Sequence, residues 1–385
     1  MTQPQTSHDR VWGASHEPLQ SNLLRSVYCV LGIPIDAINL PAVVEKIEAA
    51  AADRTVLRIS TPNLNFLVSS LSDAEFKQSL LDSDLCPPDG IPIIWIARLL
   101  GLPIKQRAPG ADLLERLNTR GLGSHKLRLF LFGGAAGIAD IAAGKLNAER
   151  GCLTCVGAMN PGFGDIGELS QDRIIDAINS SGADFLVVSL GAKKGQLWLQ
   201  RNRGRLTIPI RSHLGAAMNF QAGTIKRAPR MVRACGFEWL WRIKEERYLW
   251  KRYRDDGFVF LRLLFTRVLP LALISWRARR NISRSGFSIR KSQDDRTITL
   301  TLSGSASEKY VSTAVPVFEE ALTDNKDIVI DLSNAIQIDC RFLGLLLMLR
   351  KELGNRDKEL IFTAVPPAIG RLFYLNELSS LLSGG

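Results

Sequence analysis

Short apolar runs separated by helix-length segments constrain this chain more than any other feature. Residues 185–190 (Phe-Leu-Val-Val-Ser-Leu) form a nearly continuous apolar run, the pattern of a strand covered on both faces of a sheet. Residues 57–60, 127–132 and 153–156 read as further strands, and residues 64–81, 91–100, 135–150 and 171–180 read as the helices between them. Strands alternating with helices of this length predict an α/β domain with a largely parallel sheet over residues 26–225. Ligands of such sheets bind beyond the carboxyl ends of the strands. Thr61, Asn63, Gly133-Gly134 and Gly191 all fall there.

The residue with the clearest chemistry is Asp89, in Pro88-Asp89-Gly90. A carboxylate held in a turn at the end of a strand-like segment suits a general base. Pro-Asp-Gly is also a plain turn signal, so its neighbours decide. Upstream stands Thr61-Pro62-Asn63, and downstream Arg107-Ala108-Pro109-Gly110. Phe130-Leu131-Phe132-Gly133-Gly134-Ala135-Ala136-Gly137 reads as strand, glycine turn and helix start, where backbone N–H groups can cradle phosphate. It is not GxGxxG, and no acidic ribose partner accompanies it, which argues against a nucleotide-cofactor oxidoreductase. Asp82-Ser83-Asp84 has the form of a metal-binding DxD, but its helical context favours a solvated or capping role. Cys152 and Cys155 form a CxxC with no second pair, so neither zinc nor redox work is expected. Six scattered cysteines suit a reducing cytoplasm, and residues 1–20 lack the apolar core of a signal peptide.

The net charge of +11 is concentrated. Residues 226–284 carry 16 Lys/Arg against 5 Asp/Glu, and the remainder holds 33 of each sign. This block is also aromatic, with Trp239, Trp241, Tyr248, Trp250 and Tyr253, and it runs into an apolar stretch over 258–276 that contains Arg262, Arg267 and Pro270. Each arginine near a bilayer centre costs roughly 2.5–3.5 kcal/mol. A helix lying in an anionic membrane interface is therefore expected ahead of one buried against protein or a true span. The aliphatic run favours a membrane over nucleic acid as the anionic partner. Domain boundaries are expected at 1–25 (disordered), 26–225 (α/β domain), 226–284 (basic helical appendage) and 285–385 (a small α/β domain). In the last, residues 297–302, 328–332 and 360–364 read as strands, and 311–322 and 342–353 as helices.

Taken in order, Thr61-Pro62-Asn63, Pro88-Asp89-Gly90, Arg107 with Gly110 and Asp112, Phe132-Gly133-Gly134, Gly191 with Trp198, Gly215-Ala216, Ala222-Gly223, Lys226-Arg227-Ala228-Pro229 and Gly236-Phe237-Glu238-Trp239-Leu240 resemble the WecG/TagA/CpsF glycosyltransferases (family 26). The resemblance covers about 35–254. It implies inverting transfer of an N-acetylmannosamine-type sugar from a UDP-sugar to a polyprenyl-diphosphate-linked acceptor in bacterial surface polysaccharide or glycolipid synthesis. The enzyme would sit peripherally on the cytoplasmic face of the inner membrane, with no cofactor and no obligatory metal. Asp89 would deprotonate the acceptor hydroxyl, Thr61 and Asn63 would position substrate, and Arg107 would stabilise the leaving UDP. Gly133, Gly134 and Gln196 would contact the donor, and Arg242, Arg247 and Arg252 the lipid diphosphate. The chain departs from the family's Pro-Lys-Gln-Glu run. Gly195 stands at the glutamine and Gln196 at the glutamate, which either shifts the loop by one residue or removes that donor contact. Other departures are Glu245-Glu246 for Glu-Pro, Leu249 for an arginine and Asn219 for a common aspartate.

The tail resembles a STAS domain through Ile328-Val329-Ile330-Asp331-Leu332-Ser333 and Ile338-Asp339-Cys340-Arg341-Phe342-Leu343-Gly344. Regulated members carry a Ser or Thr after the aspartate, and Cys340 and Arg341 offer no such hydroxyl. Arg341 opposes the dipole at a helix N-terminus, which predicts a partner or salt bridge and a binding or oligomerisation role. The rival to the enzyme is a non-catalytic, membrane-associated scaffold that binds lipid-linked sugar and recruits proteins through the STAS domain.

Overall fold

A computed structural model describes residues 21–120, 126–149, 151–234, 236–281 and 286–382. The described chain begins with a 3-10 turn, Asn22–Leu24, and an antiparallel hairpin of β1 (Val27–Val30) and β2 (Ile33–Asp36). Its loop residues Leu31 and Gly32 both have positive φ, 47° and 83°, which matches the twist of a tight hairpin. The expected disorder over 1–25 is corrected here. Residues 1–20 lie outside the described residues, but Leu23 is fully buried and Arg25 forms a buried ion pair with Asp36 at 2.7 Å.

The central sheet contains β3 (Leu57–Ile59), β4 (Leu127–Gly133), β5 (Leu153–Met159), β6 (Phe185–Ser189) and β7 (Ile210–His213), in the order β3-β7-β6-β4-β5. Every neighbouring pair is parallel. The strand β7 has no apolar pattern to announce it, yet it is wholly buried. Two of its polar side chains are satisfied internally: Arg211 donates to the carbonyls of Ile208 (2.6 Å), Leu206 (2.6 Å) and Arg203 (2.8 Å), and Ser212 to that of Ile59 (2.8 Å). Backbone carbonyls thus replace water around a buried cation.

Helix Ile138–Ala148 covers one face of the sheet through Ala139, Ala142 and Leu146. Helices Asp172–Ser180 and Ala192–Arg201 cover the other, where Trp198 packs on Phe132 with ring centroids 4.6 Å apart. The covering helix changes face between the adjacent strands β4 and β6, so a crevice opens at their carboxyl ends. Two expected helices differ. The stretch 64–81 is two helices, Leu64–Ser72 and Ala74–Leu81, because the Asp73 carboxylate caps the second by accepting from Phe76 N at 2.9 Å. The helix expected from 135 starts at Ile138, since Gly137 has φ +76°.

The basic appendage is helical over Glu238–Glu245 and then over Leu249–Leu263, a π turn at Leu264–Val268 and Leu269–Asn281. It is the described helix long and apolar enough to cross a membrane, but it is built as a strut. Leu249, Leu263, Val268 and Leu271 are buried inward, whereas Phe258, Leu261, Phe265, Leu273 and Trp276 are exposed. Arg267 does not reach toward lipid: it pairs with Glu377 at 2.8 Å and stacks 3.6 Å over the Tyr374 ring.

The C-terminal domain is a four-stranded sheet, β11-β10-β9-β8, of β8 (Phe287–Gln293), β9 (Thr297–Ala306), β10 (Asp327–Ile338) and β11 (Leu360–Thr363). Only β8 runs antiparallel to its neighbour. Helices Val311–Thr323, Cys340–Gly354 and Pro367–Leu375 pack on it. This domain is no free module. Helix Cys340–Gly354 lies on the β1–β2 hairpin so closely that a Cβ on Gly344 would fall 2.1 Å from the Val27 carbonyl oxygen. One hydrophobic cluster runs through both regions. Arg341 donates to the carbonyls of Val27 (3.1 Å) and Arg25 (3.0 Å), and Tyr28 to the Glu308 carboxylate (2.7 Å). The partner predicted for Arg341 is therefore the backbone of the chain's own N-terminal hairpin region.

Candidate active site

Asp89 is placed by backbone pairing. Leu85 bridges Ile59 beside β3, and the chain then turns through Pro87-Pro88. The Asp89 N–H donates to the Pro62 carbonyl at 2.8 Å, and Ala108 N–H to that of Pro88 at 2.7 Å. Thr61-Pro62-Asn63, Pro88-Asp89-Gly90 and the segment after Arg107 are thus laid side by side. Gly90 has φ +90°, and a Cβ there would lie 3.5 Å from that of Asn63; only glycine takes that backbone without strain. Asn63 Oδ1 caps the following helix by accepting from Phe66 N at 3.2 Å. Thr61 is buried beside it. Burial pushes the Asp89 carboxyl up to about 6, opposed by the positive fields of Arg107 and Arg242 and assisted by Glu238.

Around this carboxylate the arginines are held by acids. Arg107 pairs with Glu238 at 2.8 Å and donates to the Arg233 carbonyl at 3.1 Å. Arg233 reaches Asp112 at 3.2 Å, and Arg227 pairs with both Asp112 and Glu115. Segment 226–238 is thereby stapled to helix Gly110–Asn118. Arg242 pairs with Glu246 at 2.9 Å, and Glu246 also accepts from the Tyr248 hydroxyl at 2.6 Å. Asp256, buried on the strut, accepts from Asn65 at 3.3 Å and feels Arg252, whose guanidinium stacks on Tyr253. The guanidinium Nε atoms of Arg227, Arg233, Arg242 and Arg252 are buried without a partner. These groups form a network of arginines matched by carboxylates, and the phosphates of a diphosphate are anions that arginine binds equally well.

The glycine turn serves packing first. A Cβ on Gly133 would lie 2.5 Å from the Ser189 carbonyl oxygen, to which Gly134 N–H donates at 2.7 Å. That N–H is therefore committed to joining β4 to β6. Behind the sheet's carboxyl end sits a residue that the sequence reading missed. The His213 imidazole is buried, with Nε2 unpartnered, and burial pushes its pKa down to about 4, so it is neutral. A Cβ on Gly195 would fall 2.2 Å from its ring. Glycine at 195 is thus a steric requirement of His213.

A family model, "Glycosyl transferase WecG/TagA/CpsF family", matches residues 28–272. The chain belongs to this family. A second model, "Mlab, STAS domain", matches residues 289–383. Curated relatives include N-acetylglucosaminyldiphosphoundecaprenol N-acetyl-beta-D-mannosaminyltransferases. That of Bacillus spizizenii is 26% identical over 194 residues, which cover 50% of this chain and 73% of the relative. That of Bacillus subtilis is 25% identical over 226 residues (57% and 84%), and that of Staphylococcus aureus strain MW2 is 22% identical over 225 (58% and 85%). Among solved structures, a STAS-domain antisigma-factor antagonist from Rhodobacter sphaeroides is 22% identical, covering 26% of this chain and 95% of its own, at a TM-score of 0.17.

In this WecG/TagA/CpsF chain, Asp89, Thr61, Asn63, Arg107 and Arg242 come together. Arg252 stands further along the strut near Asn65, and Arg247 is exposed between the two appendage helices. Gln196 does not join them. It is buried, and its Nε2 donates to Ser60 Oγ at 2.6 Å and the Ser79 carbonyl at 3.3 Å, because the first turns of its helix direct it at helix Ala74–Leu81. The acids of Asp82-Ser83-Asp84 are consumed by ion pairs: Asp82 with Arg203 at 3.4 Å, and Asp84 with Arg58 at 2.9 Å and Lys351 at 2.9 Å. Arg227 and Glu238 were visible only as parts of motifs and Arg233 lay between them, with no residue pattern to say that these three pair with Asp112 and Arg107.

Proposed function

We propose that this protein is an inverting glycosyltransferase that moves an N-acetylmannosamine-type sugar from a UDP-sugar to a polyprenyl-diphosphate-linked acceptor at the cytoplasmic face of the bacterial membrane. The observation that carries this reading is Asp89, hydrogen-bonded beside the Thr61–Asn63 segment and enclosed by Arg107 and Arg242. A partly buried carboxyl pushed up to about 6 is ionised at neutral pH, yet is basic enough to accept a proton in the transition state. The acceptor hydroxyl attacks the anomeric carbon and gives its proton to Asp89, while UDP leaves on the opposite side of the sugar. Arg107 and Arg242 exchange Glu238 and Glu246 for the diphosphates and meet the charge that grows on the leaving group. Arginine performs here the charge neutralisation for which other transferases use a divalent cation, so no obligatory metal is assigned.

The exposed residues Phe258, Leu261, Phe265, Leu273 and Trp276, with Trp95 and Leu99 on helix Ile91–Leu100, offer an apolar face beside exposed Arg254, Arg262 and Arg277. This composition suits peripheral binding to an anionic lipid surface, where the acceptor resides. The scaffold alternative, recruitment of proteins through the STAS domain, would have to use faces of that domain other than the part of helix Cys340–Gly354 that packs on the hairpin. A panel of UDP-sugars with polyprenyl-diphosphate-GlcNAc, read by mass of the lipid product, tests the proposal. One donor should extend the lipid by one sugar. Acceptor binding without extension by any donor would favour the scaffold.

A further inference from the structure

Residues 83–86 are paired with β3 through Arg58 and Ser60, and further groups that hold them come from the STAS domain and from the hairpin it covers. Lys351, buried in helix Cys340–Gly354, donates to the Ser83 carbonyl at 2.9 Å and to Asp84 Oδ1 at 2.9 Å. Arg341 of the same helix holds the carbonyl of Arg25 at 3.0 Å, and the Arg25 guanidinium donates to the Ser83 carbonyl at 2.9 Å and to Met348 Sδ at 3.3 Å. Arg25 also pairs with Asp36, whose carboxylate accepts from Cys86 N–H at 2.6 Å. Two prolines then lead to Asp89, with little freedom left in φ. The STAS domain thus reaches the base through three to six residues of taut chain.

We propose that the STAS domain is a positioning element of the transferase site, in which Lys351 fixes the 83–88 segment that carries Asp89. The inference rests on the reading of Asp89 as the base. Positioning residues of this kind act on turnover, since an ångström of misplacement costs on the order of a hundredfold in rate. Loosening the segment also lets water reach Asp89, whose other neighbours are Arg107, Arg242 and Glu238. The acid limb of the pH–rate profile then moves down from about 6.

The test compares full-length wild type, Lys351→Met, Lys351→Arg and Glu308→Gln in acceptor-dependent UDP release, together with hydrogen exchange at the amides of Asp84, Leu85, Cys86 and Asp89. Glu308→Gln loosens the same domain contact at Tyr28 without touching 83–86. Lys351→Met should lower kcat at least about tenfold, leave the donor KM within twofold, shift the acid limb downward and speed exchange at those four amides. Lys351→Arg should restore most of the rate, and Glu308→Gln should behave as wild type. Wild-type kcat and exchange in Lys351→Met, or an equal loss in Glu308→Gln, would overturn the proposal. If Lys351→Met does not accumulate folded, Lys351→Gln, which loses the ion pair with Asp84 and keeps a donor for the Ser83 carbonyl, should show the same changes in kcat and exchange at smaller size, and wild-type values in it would overturn the proposal. Exchange that responds to Lys351→Met while Asp89→Asn keeps full activity would remove the base assignment and leave the mechanical link standing.

Discussion

A base that works at neutral pH needs enough burial to raise its proton affinity and enough positive field to stay ionised. Asp89 has both, from its turn and from Arg107 and Arg242. Its raised pKa also fixes the sign of its effect on stability. The folded protein holds the proton more tightly than the unfolded chain, so Asp89 makes the fold less stable as pH rises from about 4 to 6. Asp89→Asn should therefore abolish turnover while raising Tm by a few degrees at pH 7.5, as differential scanning calorimetry would show; a lower Tm would mean that Asp89 supports the fold. His213 and Gly195 form a second residue-scale unit. Gly195→Gln should destabilise the protein by about 1–3 kcal/mol through overpacking, and adding His213→Gly should recover most of it. A chemical-denaturation cycle checks this, and simple additivity would refute the steric coupling. That coupling was invisible in the sequence, because nothing in the spacing of 195 and 213 says that they touch.

At the scale of elements, the alternating pattern made β3, β4, β5 and β6 legible, since apolar runs announce strands covered on both faces. The strand β7 was not legible, because Arg211 and Ser212 are buried by hydrogen bonding and His213 by close packing against Gly195, and none of them by apolarity. The strut was half legible. Its apolar length was plain, but the sequence could not divide it into a face that packs and a face that is free. A deletion of 257–276 would remove the buried Leu263, Val268 and Leu271 along with the exposed face, so single charges are the cleaner probe. Phe258→Glu with Phe265→Glu should cut flotation with anionic vesicles severalfold and leave Tm within about 2 °C. Unchanged flotation would assign that face to something other than lipid.

Across the whole molecule, sequence reasoning separated two domains that the structure joins. The STAS resemblance was correct, and so was the anomaly of an arginine at a helix N-terminus. What the sequence could not supply was that Arg341 points into the same chain. The backbone of strand β1 is packed directly against helix Cys340–Gly354. A fragment ending at residue 281 should thus expose the hairpin and aggregate; a monomeric fragment with a cooperative melt would show that the transferase region is self-sufficient. The account as a whole stands on catalysis by Asp89. The deciding measurement is acceptor-dependent UDP release across pH 5–8 for wild type and Asp89→Asn. Wild-type activity should fall below a midpoint near pH 6, and the asparagine variant should lose at least about a hundredfold at every pH. Turnover by Asp89→Asn at the wild-type rate would contradict the mechanism outright.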